Sequence, residues 1–166
     1  SSKTLTFVVP DYNMETYLER CVESLLSATD NSDIEVLIVD DGSSDSTPEL
    51  ADMYERRWPG NVRAIHQVNK GHGGAVNTGI ANATGMYVKV VDADDWVDMP
   101  SIDTLMGTLR VQRVATDPVD MIVTNYVYDK VGKRVKHTVN FRHAMATNTV
   151  LGWDDLGCFG VAEYIL

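Results

Sequence analysis

Three carboxylates lie within four residues of the chain, at Asp92, Asp94 and Asp95, directly after the apolar run 86–91. Carboxylates this close together raise one another's pKa unless a cation neutralises them. Mg²⁺ and Mn²⁺ prefer oxygen ligands, and a protein typically holds Mg²⁺ with one or two carboxylates together with phosphate oxygens of a substrate. The cluster therefore predicts a divalent-metal site. The other interpretation is a helix whose first turn is simply rich in Asp.

Three further polar segments follow apolar runs and could complement the acidic cluster. In the segment 10–13, which follows the first run, Tyr12 could offer its ring to a planar base. In the acidic turn at 40–45, Asp40 could accept a hydrogen bond from a base N–H. The glycines of 69–74 would let the backbone approach a ligand, and a helix N-terminus behind them favours anions. Each segment alone is also typical of a turn or a helix cap.

Hydrophobic periodicity indicates the elements that must position these segments. Continuous apolar runs predict strands at 5–9, 34–39, 62–66 and 86–91, and helical spacing predicts helices over 15–28, 48–57, 75–83 and 101–114. A strand at 121–128 and a hairpin into 134–140 follow. This alternation predicts an α/β fold with a mostly parallel, Rossmann-like sheet and helices on both faces. Ligands bind outside the carboxyl ends of such strands, so the four segments should meet at one rim.

Composition narrows the classes of function. The chain has 166 residues and a formal net charge of -10, which disfavours nucleic acid as a partner. No apolar run reaches the roughly 18 residues of a membrane span, so no transmembrane segment is expected. The two cysteines, Cys21 and Cys158, form no disulfide framework or metal motif, and a reducing, cytoplasmic compartment is the simpler interpretation.

A resemblance to the family 2 glycosyltransferases is carried by four stretches: FVVPDYNMETYLERCVESLL, EVLIVDDGSSDST, HQVNKGHGGAVNTGIANATG and YVKVVDADDWVDM. They come in the family's order and spacing and cover about Leu5–Pro100. The resemblance implies a GT-A fold, with 1–166 as one domain. Residues 5–100 would be the donor nucleotide-binding half, and 101–166 would begin an acceptor-side half that we expect to be incomplete.

The resemblance also implies which residues bind the donor. Tyr12 would stack on the base, Asp40 would bond the base edge, and the metal would be Mn²⁺ or Mg²⁺ held by Asp94, Asp95 and Asp92. The whole implied set for the nucleotide-sugar is Pro10, Tyr12, Asn13, Asp40, Lys70, Gly71, Asn77, Asp92, Ala93 and Asp94.

The implied reaction is transfer of a sugar from a nucleoside-diphosphate sugar, with UDP expected, to an acceptor hydroxyl with inversion. The acceptor would be a glycan or lipid-linked molecule in cell-surface polysaccharide synthesis, which allows peripheral association with the cytoplasmic face of a membrane. The catalytic base is expected beyond Leu166, with Asp154 and Asp155 as weak candidates. Two alternatives stay open: a nucleotidyltransferase, which usually needs a glycine- and basic-rich loop after the first strand, and a non-catalytic nucleotide-sugar binding module.

Overall fold

The computed structural model describes residues 2–129, 136–141, 145 and 148–152. The chain divides into two compact units, Ser1–Pro118 and Val119–Leu166. The first contains β1 (Leu5–Asp11), α1 (Leu18–Leu25), β2 (Ile34–Asp40), α2 (Thr47–Arg57), β3 (Val62–His66), α3 (Gly71–Asn82), β4 (Tyr87–Val90) and α4 (Met99–Arg113). In the described part of the second unit, β5 (Tyr126–Tyr128) pairs antiparallel with β6 (His137–Val139).

A four-stranded parallel sheet forms the centre of the first unit, with strand order β3-β2-β1-β4. Every residue of β1 and β2 is buried, which requires cover on both faces of these two strands. This burial on both faces is the reason that β1 and β2 appear in the sequence as continuous apolar runs. The predicted α/β fold with a mostly parallel sheet is therefore confirmed.

Helix α3 packs closely on the sheet, and the glycines of 71–74 form its first turn. Val8 of β1, Val39 of β2 and Ala75 of α3 form a buried cluster. Gly79 lies directly over β1, because a Cβ built on it would stand 2.1 Å from Cγ1 of Val8. The missing side chain thus sets the distance between helix and strand, and the N-terminal end of α3 is held at the carboxyl edge of the sheet.

Two helices begin three and four residues away from their predicted starts. Helix α1 begins at Leu18 rather than Glu15, and the backbone N–H groups of Met14 and Glu15 donate to side chains of Thr47 and Asp45, which hold the residues before the helix to the loop after β2. Helix α3 begins at Gly71 rather than Ala75, so the glycines supply its first turn. The hairpin glycine Gly132 lies outside the described residues. Within the described part of the chain, no helix is both long and apolar enough to cross a bilayer.

Candidate donor-binding site

A pocket of about 340 Å³ opens at the carboxyl edge of the sheet. Its walls come from the ends of β1, β2 and β4 and from the start of α3. Six residues implied by the sequence line it: Pro10, Tyr12, Gly71, Asp92, Ala93 and Asp94. Five other residues line it as well: Asp11, Met14, Asp41, Asn69 and His72. The expectation that the strand ends share one rim therefore holds for these segments.

The acidic loop after β4 is a tight turn fastened to helix α1. The backbone N–H of Asp95 donates to the carbonyl oxygen of Asp92 at 2.9 Å. That carbonyl also accepts from the buried Cys21 thiol of α1 at 3.7 Å. Arg20, also on α1 after its start at Leu18, places its guanidinium 3.3 Å from the ring centroid of Trp96. These contacts hold the loop at the pocket rim.

The carboxylates of the acidic loop lie close enough to affect one another's ionisation. Burial, followed by the charges of Asp94 and Asp92, raises the pKa of Asp95, and Lys89 offsets this only in part. A divalent cation would relieve the repulsion, so the chemistry of this donor set suits Mn²⁺ or Mg²⁺. Among the described residues, no three His, Cys, Asp or Glu side chains converge as a complete metal cage. A cation here would need further oxygen ligands, such as donor phosphates or water.

The two carboxylates at the end of β2 have different surroundings. Asp40 is 3% exposed and does not line the pocket, because its Oδ1 accepts from the Ser43 N–H at 2.9 Å and its Oδ2 pairs with His66 Nδ1 at 2.9 Å. His66 Nε2 pairs in turn with Asp52 at 3.0 Å. The hydrogen bonds to Asp40 and then Asp52 raise the pKa of His66. Asp40 therefore belongs to a hydrogen-bond network with Ser43 and His66 and does not face the pocket.

Asp41, the residue directly after β2, is the carboxylate of this pair that lines the pocket. Its Oδ1 accepts from Gln67 Nε2 at 2.6 Å and from the backbone N–H of Lys70 at 2.8 Å. Burial opposes ionisation, but these hydrogen bonds outweigh it and lower the pKa of Asp41. Strand alternation could have indicated this choice, since Asp41 is two residues beyond Val39, whose side chain faces α3.

Asn13 lies outside the pocket lining and joins two loops instead. It has a positive φ of 55°, which Asn tolerates better than most residues. Its N–H donates to Ser43 Oγ at 2.9 Å, and its Oδ1 accepts from the Ser44 N–H at 2.8 Å. Nearby, Glu15 accepts from the Ser46 N–H at 2.9 Å. These bonds tie the segment after β1 to the loop after β2 and so hold the wall that carries Tyr12.

The remaining sequence candidates divide into two groups. Lys70 and Asn77 are exposed and do not line the pocket, although the Lys70 N–H helps to hold Asp41. Gly71 lines the pocket with φ of +75°, a conformation that glycine adopts readily. Asp154, Asp155 and Cys158 lie outside the described residues.

Asp11 has the most unusual environment in the pocket. It is 2% exposed, and neither carboxylate oxygen has a hydrogen-bond partner among the described residues. Burial, followed by the charges of Asp40 and Asp45, raises its pKa to about 7. Its carbonyl oxygen accepts from the Asp41 N–H at 2.8 Å, so its backbone is nevertheless fixed beside the pocket.

A parallel α/β sheet with an acidic turn and an exposed aromatic side chain at its carboxyl edge is the arrangement expected of a GT-A glycosyltransferase, and the solved glycosyltransferases that this chain resembles support that class. The chain belongs to glycosyl transferase family 2, whose family model matches residues 6–160. This membership favours the transferase over the nucleotidyltransferase and binding-module alternatives.

Individual relatives agree with the family. The chain is 40% identical over 131 residues to glycosyltransferase GlyG of Streptococcus pneumoniae serotype 4, covering 78% of this chain and 41% of GlyG. Its fold resembles S. aureus TarS in complex with UDP-GlcNAc, with a TM-score of 0.59 and 26% identity over 66% of this chain and 32% of that one. The mannosyltransferase PcManGT of Pyrobaculum calidifontis, in complex with GDP-Man and Mn²⁺, gives a TM-score of 0.56 and 26% identity over 66% and 32%. The chain thus spans less than half the length of these proteins.

Proposed function

We propose that this chain forms the donor side of an enzyme that moves a sugar from a nucleoside-diphosphate sugar to an acceptor hydroxyl. The observation that carries the proposal is the pocket itself, which combines the half-exposed ring of Tyr12, after β1, with the carboxylates of Asp92 and Asp94 in the turn after β4. A flat base can stack on the ring, and a diphosphate with its cation can lie against the carboxylates. One pocket therefore suits both ends of the donor.

Asp41, rather than Asp40, is the carboxylate we assign to the base edge. It lines the pocket, whereas both oxygens of Asp40 are occupied by Ser43 and His66. A lowered pKa keeps Asp41 ionised and therefore a hydrogen-bond acceptor at neutral pH, which suits an N–H donor on the base.

Asp92, Asp94 and Asp95 are the residues that would hold Mn²⁺ or Mg²⁺. The bound cation would stabilise the negative charge that builds up on the departing diphosphate. The chain's own contribution is to fix the carboxylate turn through the contacts of α1, with Cys21 on the Asp92 carbonyl and Arg20 on Trp96.

The acceptor hydroxyl would attack the anomeric carbon from the face opposite the diphosphate, which inverts the configuration at that carbon. A carboxylate must take the proton from the attacking oxygen. We assign this base to a residue outside the described part of the chain. An acidic residue beyond the donor half would fit this role, as the family resemblance implies.

UDP is the nucleotide we expect, and the complexes of TarS with UDP-GlcNAc and PcManGT with GDP-Man support a nucleoside-diphosphate sugar as the class. The acceptor proposed is a glycan or lipid-linked molecule of cell-surface polysaccharide synthesis. We accordingly propose that the enzyme acts in the cytoplasm, with the membrane surface as the place where a lipid-linked acceptor would be met.

Calorimetric titration of the purified chain with UDP, with and without Mn²⁺ and with GDP as the comparison, tests the donor site. We expect UDP to bind at least about tenfold more tightly with Mn²⁺, a difference of about 1.4 kcal/mol. Asp94→Asn should lose this metal-dependent gain. The same substitution at Asp117, which is exposed and does not line the pocket, should keep it. Absence of nucleotide binding under every metal condition would overturn the proposal.

A second comparison tests the assignment of the base contact. Asp41→Asn should weaken the binding of UDP and of uridine by a similar factor, because both ligands carry the same base. Asp40→Asn should mainly lower the melting temperature, because it disturbs the buried bonds to Ser43 and His66. If Asp40→Asn reduced uridine binding selectively while Asp41→Asn did not, the assignment would be reversed.

A further inference from the structure

A relay of side-chain hydrogen bonds runs from helix α3 to a carboxylate of the pocket wall. The Thr78 hydroxyl of α3 donates to Oε1 of Gln67 at 2.6 Å, and Nε2 of Gln67 donates to Oδ1 of Asp41 at 2.6 Å. Asp41 lines the pocket, whereas neither Gln67 nor Thr78 is among the lining residues. Gln67 and Thr78 can therefore act on a ligand through Asp41 rather than by touching it.

The direction of each hydrogen bond in the relay follows from the charge on Asp41. Burial opposes ionisation of Asp41, but the hydrogen bonds from Gln67 and from the Lys70 N–H outweigh it and lower the pKa of the carboxyl. An ionised carboxylate only accepts hydrogen bonds, so Gln67 must turn its amide NH₂ group toward Asp41. The amide oxygen then faces α3, where the Thr78 hydroxyl donates to it.

The fold holds the members of the relay in place. Thr78 precedes Gly79, whose missing side chain lets α3 approach β1 closely. The backbone N–H of Gln67 donates to the carbonyl oxygen of Asp40 at 3.0 Å, which fixes the residue after β3 to the end of β2. Gln67 is thus held at its backbone and at both atoms of its amide. Asp41, with two donors on Oδ1, has little freedom to rotate.

We infer that Thr78 and Gln67 are positioning residues that hold Asp41 as a fixed acceptor, so that the pocket selects a base with a ring N–H over a base whose ring nitrogen is itself an acceptor. The inference rests on the proposed function, which assigns Asp41 to the base edge. Uracil carries an N–H at N3, whereas cytosine carries a lone pair at the same ring position, which an ionised carboxylate repels. A carboxylate that is already held loses less freedom when the base binds, so the relay strengthens this discrimination.

A purely structural link between α3 and the end of β2 would have a different effect. Its loss would loosen the pocket wall and weaken the binding of every nucleotide by the same factor. The ratio of the dissociation constants of CDP and UDP separates the two cases. These two ligands share the ribose and the diphosphate and differ only in the base, so a change in the ratio reports on the base contact alone.

The experiment is calorimetric titration of the chain with UDP and with CDP at saturating Mn²⁺. In the wild type, we expect UDP to bind at least about tenfold more tightly than CDP. Gln67→Met removes the amide and keeps the length of the side chain, and Thr78→Val removes only the hydroxyl. In both variants, the preference for UDP should shrink by about three- to tenfold, chiefly through weaker binding of UDP. Thr78→Ser keeps the hydroxyl and should keep the preference.

Thr104→Val is the matched control for Thr78→Val. The Thr104 hydroxyl donates to the carbonyl oxygen of Pro100 at 2.8 Å on the exposed side of α4, and Thr104 does not line the pocket. This variant loses the same atom from a helix and should keep the wild-type ratio. Thr78→Val, compared with Thr78→Ser and Thr104→Val, decides the question by itself if Gln67→Met does not fold.

The inference would be overturned if Thr78→Val weakened the binding of UDP and CDP equally, which would make the relay a structural link. An unchanged ratio in Thr78→Val, or a ratio that fell just as far in Thr78→Ser, would overturn it as well. A wild type that bound UDP and CDP with equal affinity would overturn the inference and leave the proposed function standing. Failure of the wild type to bind either nucleotide would overturn both.

Discussion

Replacing Asp11 by Asn should stabilise the protein at neutral pH, because the wild type buries a carboxyl group that has no partner among the described residues. The pKa of Asp11 is raised from 3.8 to about 7 by burial and by the charges of Asp40 and Asp45. Each pKa unit corresponds to about 1.4 kcal/mol. The ionised form therefore costs up to about 4 kcal/mol, and relaxation around the site should reduce the measured gain to about 2–4 kcal/mol.

The gain should depend on pH in a defined direction. The folded-state pKa lies above the unfolded one, so the unfolded chain releases its proton first as pH rises. The wild type therefore loses stability relative to Asp11→Asn from about pH 4 upward, and the difference levels off above about pH 7. Near pH 4 both proteins carry a neutral polar group at this position, and their free energies of unfolding should nearly coincide.

Urea unfolding followed by far-UV circular dichroism at pH 4.5, 6 and 8 measures this difference. Glu35→Gln is the matched control, because Glu35 is a buried carboxylate with partners: Oε2 accepts from Thr6 Oγ1 at 2.6 Å and from the Thr84 N–H at 2.8 Å. Burial raises the pKa of Glu35, but these bonds and the one from Arg63 outweigh it and lower the pKa. Its contribution is present above the unfolded pKa and is lost as pH falls through the folded one, so Glu35→Gln should destabilise by about 1–3 kcal/mol at pH 8 and less in acid.

Two results would refute the reasoning about Asp11. One is an Asp11→Asn protein that is no more stable than wild type at pH 8. The other is a stability difference that stays constant between pH 4.5 and pH 8, because an effect that does not change with pH cannot arise from ionisation of this carboxyl. The second result would point instead to a packing difference between the two side chains.

The packing and loop contacts give further expectations. Gly79→Ala should destabilise by about 1–3 kcal/mol in urea unfolding, because its Cβ would meet Cγ1 of Val8 at 2.1 Å. Gly107→Ala in α4, where nothing lies within 4 Å of the added Cβ, should instead stabilise by about 0.5–1 kcal/mol, and similar behaviour of the two variants would contradict the close approach of α3 to β1. Asn13→Ala should weaken UDP binding in calorimetry through the wall that carries Tyr12, and unchanged affinity would show that its bonds to the neighbouring loop do not position that wall.

The arrangement of the sheet could be predicted because burial on two faces leaves a direct mark on sequence. Val36–Val39 and Phe7–Val9 are apolar without alternation, since both faces of β1 and β2 are covered. The start of α1 could not be predicted in the same way. Tyr17 and Leu18 fit the helical spacing, but the preceding N–H groups of Met14 and Glu15 bond to Thr47 and Asp45, some thirty residues away. A local pattern does not contain such long-range contacts.

The same distinction explains which parts of the candidate site could be predicted. The residues at the rim can be predicted from the positions at which the strands end. Tyr12 and the acidic turn at Asp92 accordingly line the pocket. Between adjacent carboxylates, the choice depends on partners from other elements. Asp40 is turned to His66 of β3, and Asp41 is held at the pocket by the loop before α3. Identical residue types one position apart thus acquire different roles, and only the neighbours supplied by folding separate a carboxylate that supports the wall from one that can touch a ligand.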